Sequence, residues 1–146
     1  MDMSKKDYEK YVKGMAPKSP VLKDSALAFL VGGAICALGQ LIMNGWSAAG
    51  FSTQDAGTLT SVSLILLAQI ATGLNVYNSL ARYAGAGTLV PITGFANSVA
   101  SPAIDFKTEG LITGTAAKMF VIAGPVIVFG TLASVLYGTL LMLLRG

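Results

Sequence analysis

Val90–Glu109, VPITGFANSVASPAIDFKTE, lies between apolar runs long enough to cross a bilayer, yet it does not read as an ordinary membrane helix. Pro91 and Pro102 each lack a backbone donor and crowd the preceding turn. Gly94 sets a flexible point between them. Thr93, Asn97, Ser98 and Ser101 add polar atoms where lipid tolerates few. Interrupted backbone at membrane depth persists only where protein buries it or water reaches it. In many transporters such segments mark the solute site. The stretch is therefore expected to line or gate a path for a small solute. It is read either as a kinked third span or as a re-entrant pair of half-helices meeting near Gly94 and Asn97.

The membrane setting follows from composition. The chain has 146 residues, 53% hydrophobic and only 12% charged, against about 25% charged in a soluble domain. Between Asp24 and Arg82 the one charge is Asp55, and between Lys118 and Arg145 there is none. Such runs read as transmembrane helices, and several of them in so short a chain leave too little polar surface for a soluble fold. The net charge of +3 comes mostly from the N-terminal tail and points to a membrane surface, not to nucleic acid. With no histidine and the single cysteine Cys36, an internal disulfide and a multi-cysteine metal site are excluded. Cys36 reads as a small packing residue. No cleavable signal is expected, because polar residues precede a first apolar run that is too long for one.

Residues 1–24 form a basic tail, with Lys5, Lys6, Lys10, Lys13, Lys18 and Lys23 set against Asp2, Asp7, Glu9 and Asp24. Ser4 followed by Asp7 resembles a capping box, and Tyr8, Tyr11, Val12 and Met15 share one helical face. A short amphipathic helix ended by Pro17 and Pro20 fits this pattern, lying on an anionic membrane surface or forming a solvated tail. Residues 25–146 form one transmembrane domain. Its first span covers Ser25–Asn44, capped by Asp24 or Ser25, with Ala28, Gly32 and Gly33 allowing close helix approach. Gln40 and Asn44 read as interfacial. The loop Gly45–Gly57 carries Trp46 and Phe51 as interface anchors and no lysine or arginine. The positive-inside rule places it outside and the tail inside.

Ser52 and Asp55 mark the start of a second span, Gly57–Leu80. On a continuous helix Thr72, Asn75, Ser79 and Arg82 fall within an arc of roughly 80°, bordered by Gln69. A polar stripe in a span faces protein or water. The flexible Gly85–Gly87 then opens the broken segment of residues 85–106. Its restarted helix can present free amides and a positive dipole end to an anion. Asp105, Lys107 and Glu109 read as a solvated cluster. The last segment, Thr108–Leu144, is divided by Lys118, which either snorkels to an interface or presents a cation to the solute. Gly124 and Pro125 predict a kink, and Gly130, Ser134 and Gly138 a face for helix packing. The expected fold is an all-α membrane protein of about four transmembrane helices, one of them broken or re-entrant, with four crossings and both termini inside if the broken segment spans.

Catalytic constellations are absent from the sequence: no histidine base, no Cys/His pair, no HExxH and no phosphate-binding loop. Neither an enzyme nor a cofactor or metal site is expected. Two stretches, KKDYEKYVKGMAPKSPVLKDSALAFLVGGAICALGQ (Lys5–Gln40) and GAGTLVPITGFANSVASPAIDFKTEGLITG (Gly85–Gly114), resemble the SpoVA family of endospore-forming bacteria. The resemblance covers nearly the whole chain. It implies a multi-pass protein of the spore inner membrane that helps move dipicolinic acid, as its calcium chelate, into the forespore and out at germination. It also implies a response to membrane tension and partners among other SpoVA proteins, both membrane and cytoplasmic. No solute-contacting residues transfer with it. From the residues themselves, the path or gate is expected at Gln69, Asn75, Arg82, Pro91, Thr93, Gly94, Asn97, Ser98, Ser101, Pro102 and Lys118, and helix packing at Gly32, Gly130, Ser134 and Gly138. Three or four helices can hardly enclose such a path alone, so a homo- or hetero-oligomer is expected. The alternative is a structural subunit that docks partners while another subunit conducts.

Overall fold

The computed structural model describes residues 4–15 and 20–145, and every regular element among them is helical. Pro17, expected to end the first helix, lies outside the described residues. That helix, α1 (Lys5–Met15), starts as its sequence asks. The Ser4 hydroxyl accepts from the Asp7 amide at 3.4 Å and donates to the Asp7 carboxylate at 2.8 Å. Tyr8, Tyr11, Val12 and Met15 are exposed along it.

Helix α2 (Val21–Ala48) begins directly after Pro20, four residues before the expected start, without a side-chain cap. Asp24 in its first turn suits the positive end of the helix dipole. The helix also runs past Asn44 and takes in Trp46. Its end explains the aromatic pair. Gly50 has φ +94°, its amide donates to the Ser47 carbonyl, and the Phe51 amide donates back to Trp46. This is the Schellman closure, which brings the residue after the glycine against the last turn. Trp46 and Phe51 accordingly meet edge to face, with ring centroids 5.6 Å apart. Together they close the end of α2.

Helix α3 (Thr53–Gly73) opens on the expected cap, where the Ser52 hydroxyl accepts from the Asp55 amide. Ala56, Thr60, Leu64 and Ala68 recur every four residues and are the buried stripe of this helix. The hydroxyls of Thr58, Thr60, Ser61, Ser63 and Thr72 each donate to the carbonyl four residues back. Their polarity is thereby satisfied within the helix. The expected continuation to Leu80 does not occur. Gly73 ends the helix, and Asn75 takes a left-handed conformation, φ 59°, which asparagine tolerates better than most residues. The stripe from Thr72 to Arg82 is therefore split between two helices.

The second of these, α4 (Val76–Ala84), leads through a 3₁₀ turn, Gly85–Thr88, to α5 (Pro91–Asp105). Pro91 occupies the first position of α5, where a missing amide costs nothing and its fixed φ suits the helix. It starts this helix. No interruption occurs at Gly94 or Asn97; the break lies upstream, at Gly85–Val90. Pro102 sits inside α5 and leaves the Ser98 carbonyl without its usual donor.

The α4–α5 unit leaves and returns at one end of the bundle. Asn75, Asn78 and Asp105 share a cleft with Thr72 and Gly73 at the end of α3. The hairpin tip instead packs on α2 beside Ala28 and Gly32, about 10 to 16 Å from the start of that helix. The segment thus turns back within the bundle at Gly85–Val90, and not through half-helices meeting near Gly94 and Asn97. The Tyr77 hydroxyl, buried under the tip, donates to the Thr88 carbonyl at 2.8 Å. A Cβ on Gly87 would stand 2.5 Å from the Ala28 carbonyl oxygen, so only glycine fits there.

After a short turn at Lys107–Glu109, a π-helical stretch, Leu111–Ala116, runs into α6 (Ala117–Arg145). Pro125 lies within α6 without ending it. Among the described residues three runs are long and apolar enough to cross a membrane: Val21–Ala48, Thr53–Gly73 and Leu111–Arg145. At 15 residues, α5 rises about 22 Å, short of a hydrocarbon core of about 30 Å. Lys118, near the start of α6, lies beside Phe106 just after the end of α5, and the two helices pack together, so α6 returns antiparallel to α5. The start of α2 and Arg145 therefore sit at opposite ends of the bundle. Most large apolar residues face outward, Leu143 at 77% exposure among them, as a lipid-facing surface requires.

Replacing Gly87 by Ala is expected to lower stability by about 1 to 3 kcal/mol by overpacking the tip. Gly33→Ala, with nothing within 4 Å of the new carbon, should leave it nearly unchanged. Thermal unfolding of both variants in detergent checks this; equal midpoints would show that the tip is not docked on α2.

Candidate functional site

Two clefts flank the seam between α3 and α5, because α5 carries two different faces. Asn97, Ser101 and Asp105 recur every four residues along one of them and line a cleft of about 520 Å³ with Thr72, Asn75 and Asn78. Gly94 and Ser98, with Pro91, Phe95 and Val99, line the other, of about 720 Å³, with Gln69 of α3 and Ile122 and Val126 of α6. The first is polar. The second is almost wholly apolar.

One interhelical contact closes the seam between them. Thr72 Oγ1 lies 2.8 Å from Asn97 Oδ1 and 2.7 Å from the Ala68 carbonyl. A hydroxyl has one proton. If Ala68 receives it, the contact with Asn97 is completed by the amide group turned over, its NH₂ donating to Thr72. The two orientations fill the same space. The Asn97 carbonyl then faces away from Thr72 as a free acceptor. Below this bond, Ala68 and Ala96 pack with Tyr77 as the small buried core.

The expected path residues are thus divided. Asn75, Asn97 and Ser101 meet in the polar cleft, and Gln69, Pro91, Gly94 and Ser98 in the apolar one. Thr93 lines neither: it is buried, and its hydroxyl finds no partner among the described residues. Its i−4 residue is Leu89, outside the helix, so the back-bond made by the α3 hydroxyls is denied to it. Arg82 lies in a third crevice, of about 450 Å³, together with Asp24 and Ser25 of α2. Lys118 stands 4.2 Å over the ring of Phe106, a cation–π contact worth about 0.5 to 2 kcal/mol. Gly32 packs against Gly87. Gly130 and Gly138 have nothing within 4 Å among the described residues, and Ser134 beside them is exposed.

Two residues of the polar cleft escaped the sequence reading. Asp105 was expected to be solvated interface, although it continues the four-residue spacing of Asn97 and Ser101. Asn78 carries no such signal, because its place depends on the turn at Asn75. The cleft holds one carboxylate and no cation. Among the described residues no cluster of three or more metal-ligating side chains occurs.

Residues 24–140 match the family model described as SpoVAC/SpoVAEB sporulation membrane protein. The chain belongs to this family. It is also 45% identical, over 135 residues, to stage V sporulation protein AC of Bacillus subtilis (strain 168), covering 92% of this chain and 90% of that relative. No solved structure matches the chain. The family match takes in the hairpin and both clefts, and it makes this a sporulation membrane protein.

A double-mutant cycle of Thr72→Val and Asn97→Leu tests the seam. The expected coupling is about 0.6 to 2 kcal/mol, the range for hydrogen bonds between membrane helices, read from unfolding in detergent. Strict additivity of the two variants would show that the pair contributes nothing.

Proposed function

We propose that this chain is a channel subunit for a small anionic solute, and not an enzyme. By family resemblance the solute is dipicolinic acid and the membrane is the spore inner membrane; the lysine-rich tail puts the N-terminus in the cytoplasm. The carrying observation is the hairpin Val76–Asp105, whose tip packs on α2 at Ala28 and Gly32 and whose limbs return to one end of the bundle. Backbone that stops short of crossing needs protein or water beside it, and the polar cleft lies between its limbs. On this reading Asn75, Asn97 and Ser101 supply hydrogen bonds to the solute along the α4 side of α5.

The charge of that cleft bears on which form passes. Near a protein surface two like charges 4 Å apart repel by about 4 kcal/mol, and dipicolinate carries two. Asp105 therefore opposes the bare dianion and leaves the 1:1 calcium chelate, which is neutral, unaffected. Calcium enters here as cargo. Neither cleft forms an enclosed route within one chain, so further copies or sister SpoVA subunits complete the wall. A tension response would follow if widening the bilayer drew the glycine-packed tip off α2.

A second reading has one observation in its favour. The face of α6 bearing Gly130, Ser134 and Gly138 is free of contacts among the described residues, as in a subunit whose task is to hold partners. Flux of calcium dipicolinate from liposomes holding the assembled complex separates the two. Asn97→Leu and Ser101→Leu should reduce it several-fold with assembly intact, and Asp105→Asn should raise passage of the free dianion relative to the chelate. Unchanged flux and selectivity, with assembly lost only in Gly130→Leu or Gly138→Leu, would favour the structural subunit.

A further inference from the structure

Helix α1 buries none of its side chains against the rest of the chain among the described residues. It has 11 residues, fewer than the roughly 12 to 15 that an isolated helix needs in water. Its local supports are small. The Ser4 cap is exposed, and so is the ion pair between Lys13 and Glu9, 2.7 Å apart. Gly14 near its end disfavours helix. A helix this short, packed on no protein, is held by a surface outside the chain.

Its two faces say what kind of surface. Tyr8, Tyr11, Val12 and Met15 fall within an arc of about 100°, and all are exposed, Met15 at 68% and Tyr8 at 61%. Lys6, Asp7, Glu9, Lys10 and Lys13 cluster on the opposite side. Tyrosine pairs an apolar ring with a polar hydroxyl and suits the boundary between headgroup and hydrocarbon. Chain length says which surface lies in reach. Six Cα steps join Met15 to Val21, at most about 20 Å of backbone. Val21 opens the first spanning helix. The bilayer that α2 enters is therefore within reach of α1, and so short a tether makes docking there an intramolecular event.

We propose that α1 lies in the plane of the bilayer surface beside the entry of α2, with Tyr8, Tyr11, Val12 and Met15 sunk into the headgroup region and Lys6, Lys10 and Lys13 facing water. Such a helix sits about 5 to 10 Å into the boundary of headgroup and acyl chain. The three lysines then stand on its far side, one helix diameter or about 10 Å away. That is close to the Debye length at physiological salt, about 8 Å. The apolar face therefore carries the docking, and lipid charge adds little. The contact fixes the start of α2 at the surface. It lies apart from both clefts, so it stands whether or not the chain conducts.

The full chain reconstituted in vesicles tests this. In a Cys36→Ala background, Val12→Cys and Lys10→Cys each carry a fluorophore, and lipids bearing a nitroxide just below the headgroup quench what they touch. The label at position 12 should be quenched several-fold more than the label at position 10. The difference should persist in pure phosphatidylcholine, and in about 1 M salt, where the Debye length falls to about 3 Å. Adding Tyr8→Asp and Met15→Asp should bring position 12 down to the level of position 10. Equal quenching at the two positions in the parent background would overturn the proposal. So would a label at position 12 that is shielded from a water-soluble quencher yet untouched by the lipid nitroxide, because a protein would then cover the face. Loss of the difference at high salt or without anionic lipid would contradict it as well, because charge would then carry the docking.

Discussion

Amide and carbonyl groups at membrane depth must find partners, because hydrocarbon offers none. In this protein that requirement falls on the six residues Gly85–Val90 at the hairpin tip, where helix gives way to turn. The Tyr77 hydroxyl takes up the Thr88 carbonyl, and the Leu89 amide donates to Ala86. Glycine at position 87 lets the tip lie directly on the α2 backbone. Gly87 and Thr88 are thus covered by protein instead of lipid. The placing of α5, and with it both clefts, depends on that covering.

Once the tip is fixed, α5 must run alongside α3 in the same direction, and its sequence then decides what lies on either side. The four-residue spacing of Asn97, Ser101 and Asp105 gives one wet face. The intervening Gly94, Ser98 and Val99, with Phe95, give a face that suits hydrocarbon. A helix polar on one side and apolar on the other, held between two spans, divides the bundle into a polar side and an apolar one. The Thr72–Asn97 bond marks the boundary. Among the described residues few are fully buried, so the chain relies on what surrounds it to complete its packing.

Much of this was legible in the sequence. Ser4 and Ser52 announced their helices because a capping hydroxyl acts on amides two or three residues away, a local event. The long apolar runs announced the spans for the same reason, through composition alone. The breaks were harder. Pro91 read as an interruption, yet the same ring starts α5, and the difference lies only in whether helix precedes it. Gly73 and Asn75 stop α3 through a left-handed turn that neither residue demands by itself. The stripe computed across residues 72–82 assumed a continuity that the turn removes. Polar residues from Thr93 to Ser101 were read as one group, whereas the helical period assigns them to separate faces. Trp46 and Phe51 are a case in between: both were noticed, but their pairing required the positive φ of Gly50.

The account turns on the hairpin entering and leaving the membrane on one side. Single cysteines placed in a Cys36→Ala background at Asn78 and Asp105, with a third at Ser52, decide it by labelling with a membrane-impermeant maleimide in oriented vesicles. The account predicts that the residues at 78 and 105 react from the same face and that the residue at 52 reacts from the opposite one. Labelling of positions 78 and 105 from opposite faces would mean that the segment crosses the bilayer, and the re-entrant architecture would be wrong.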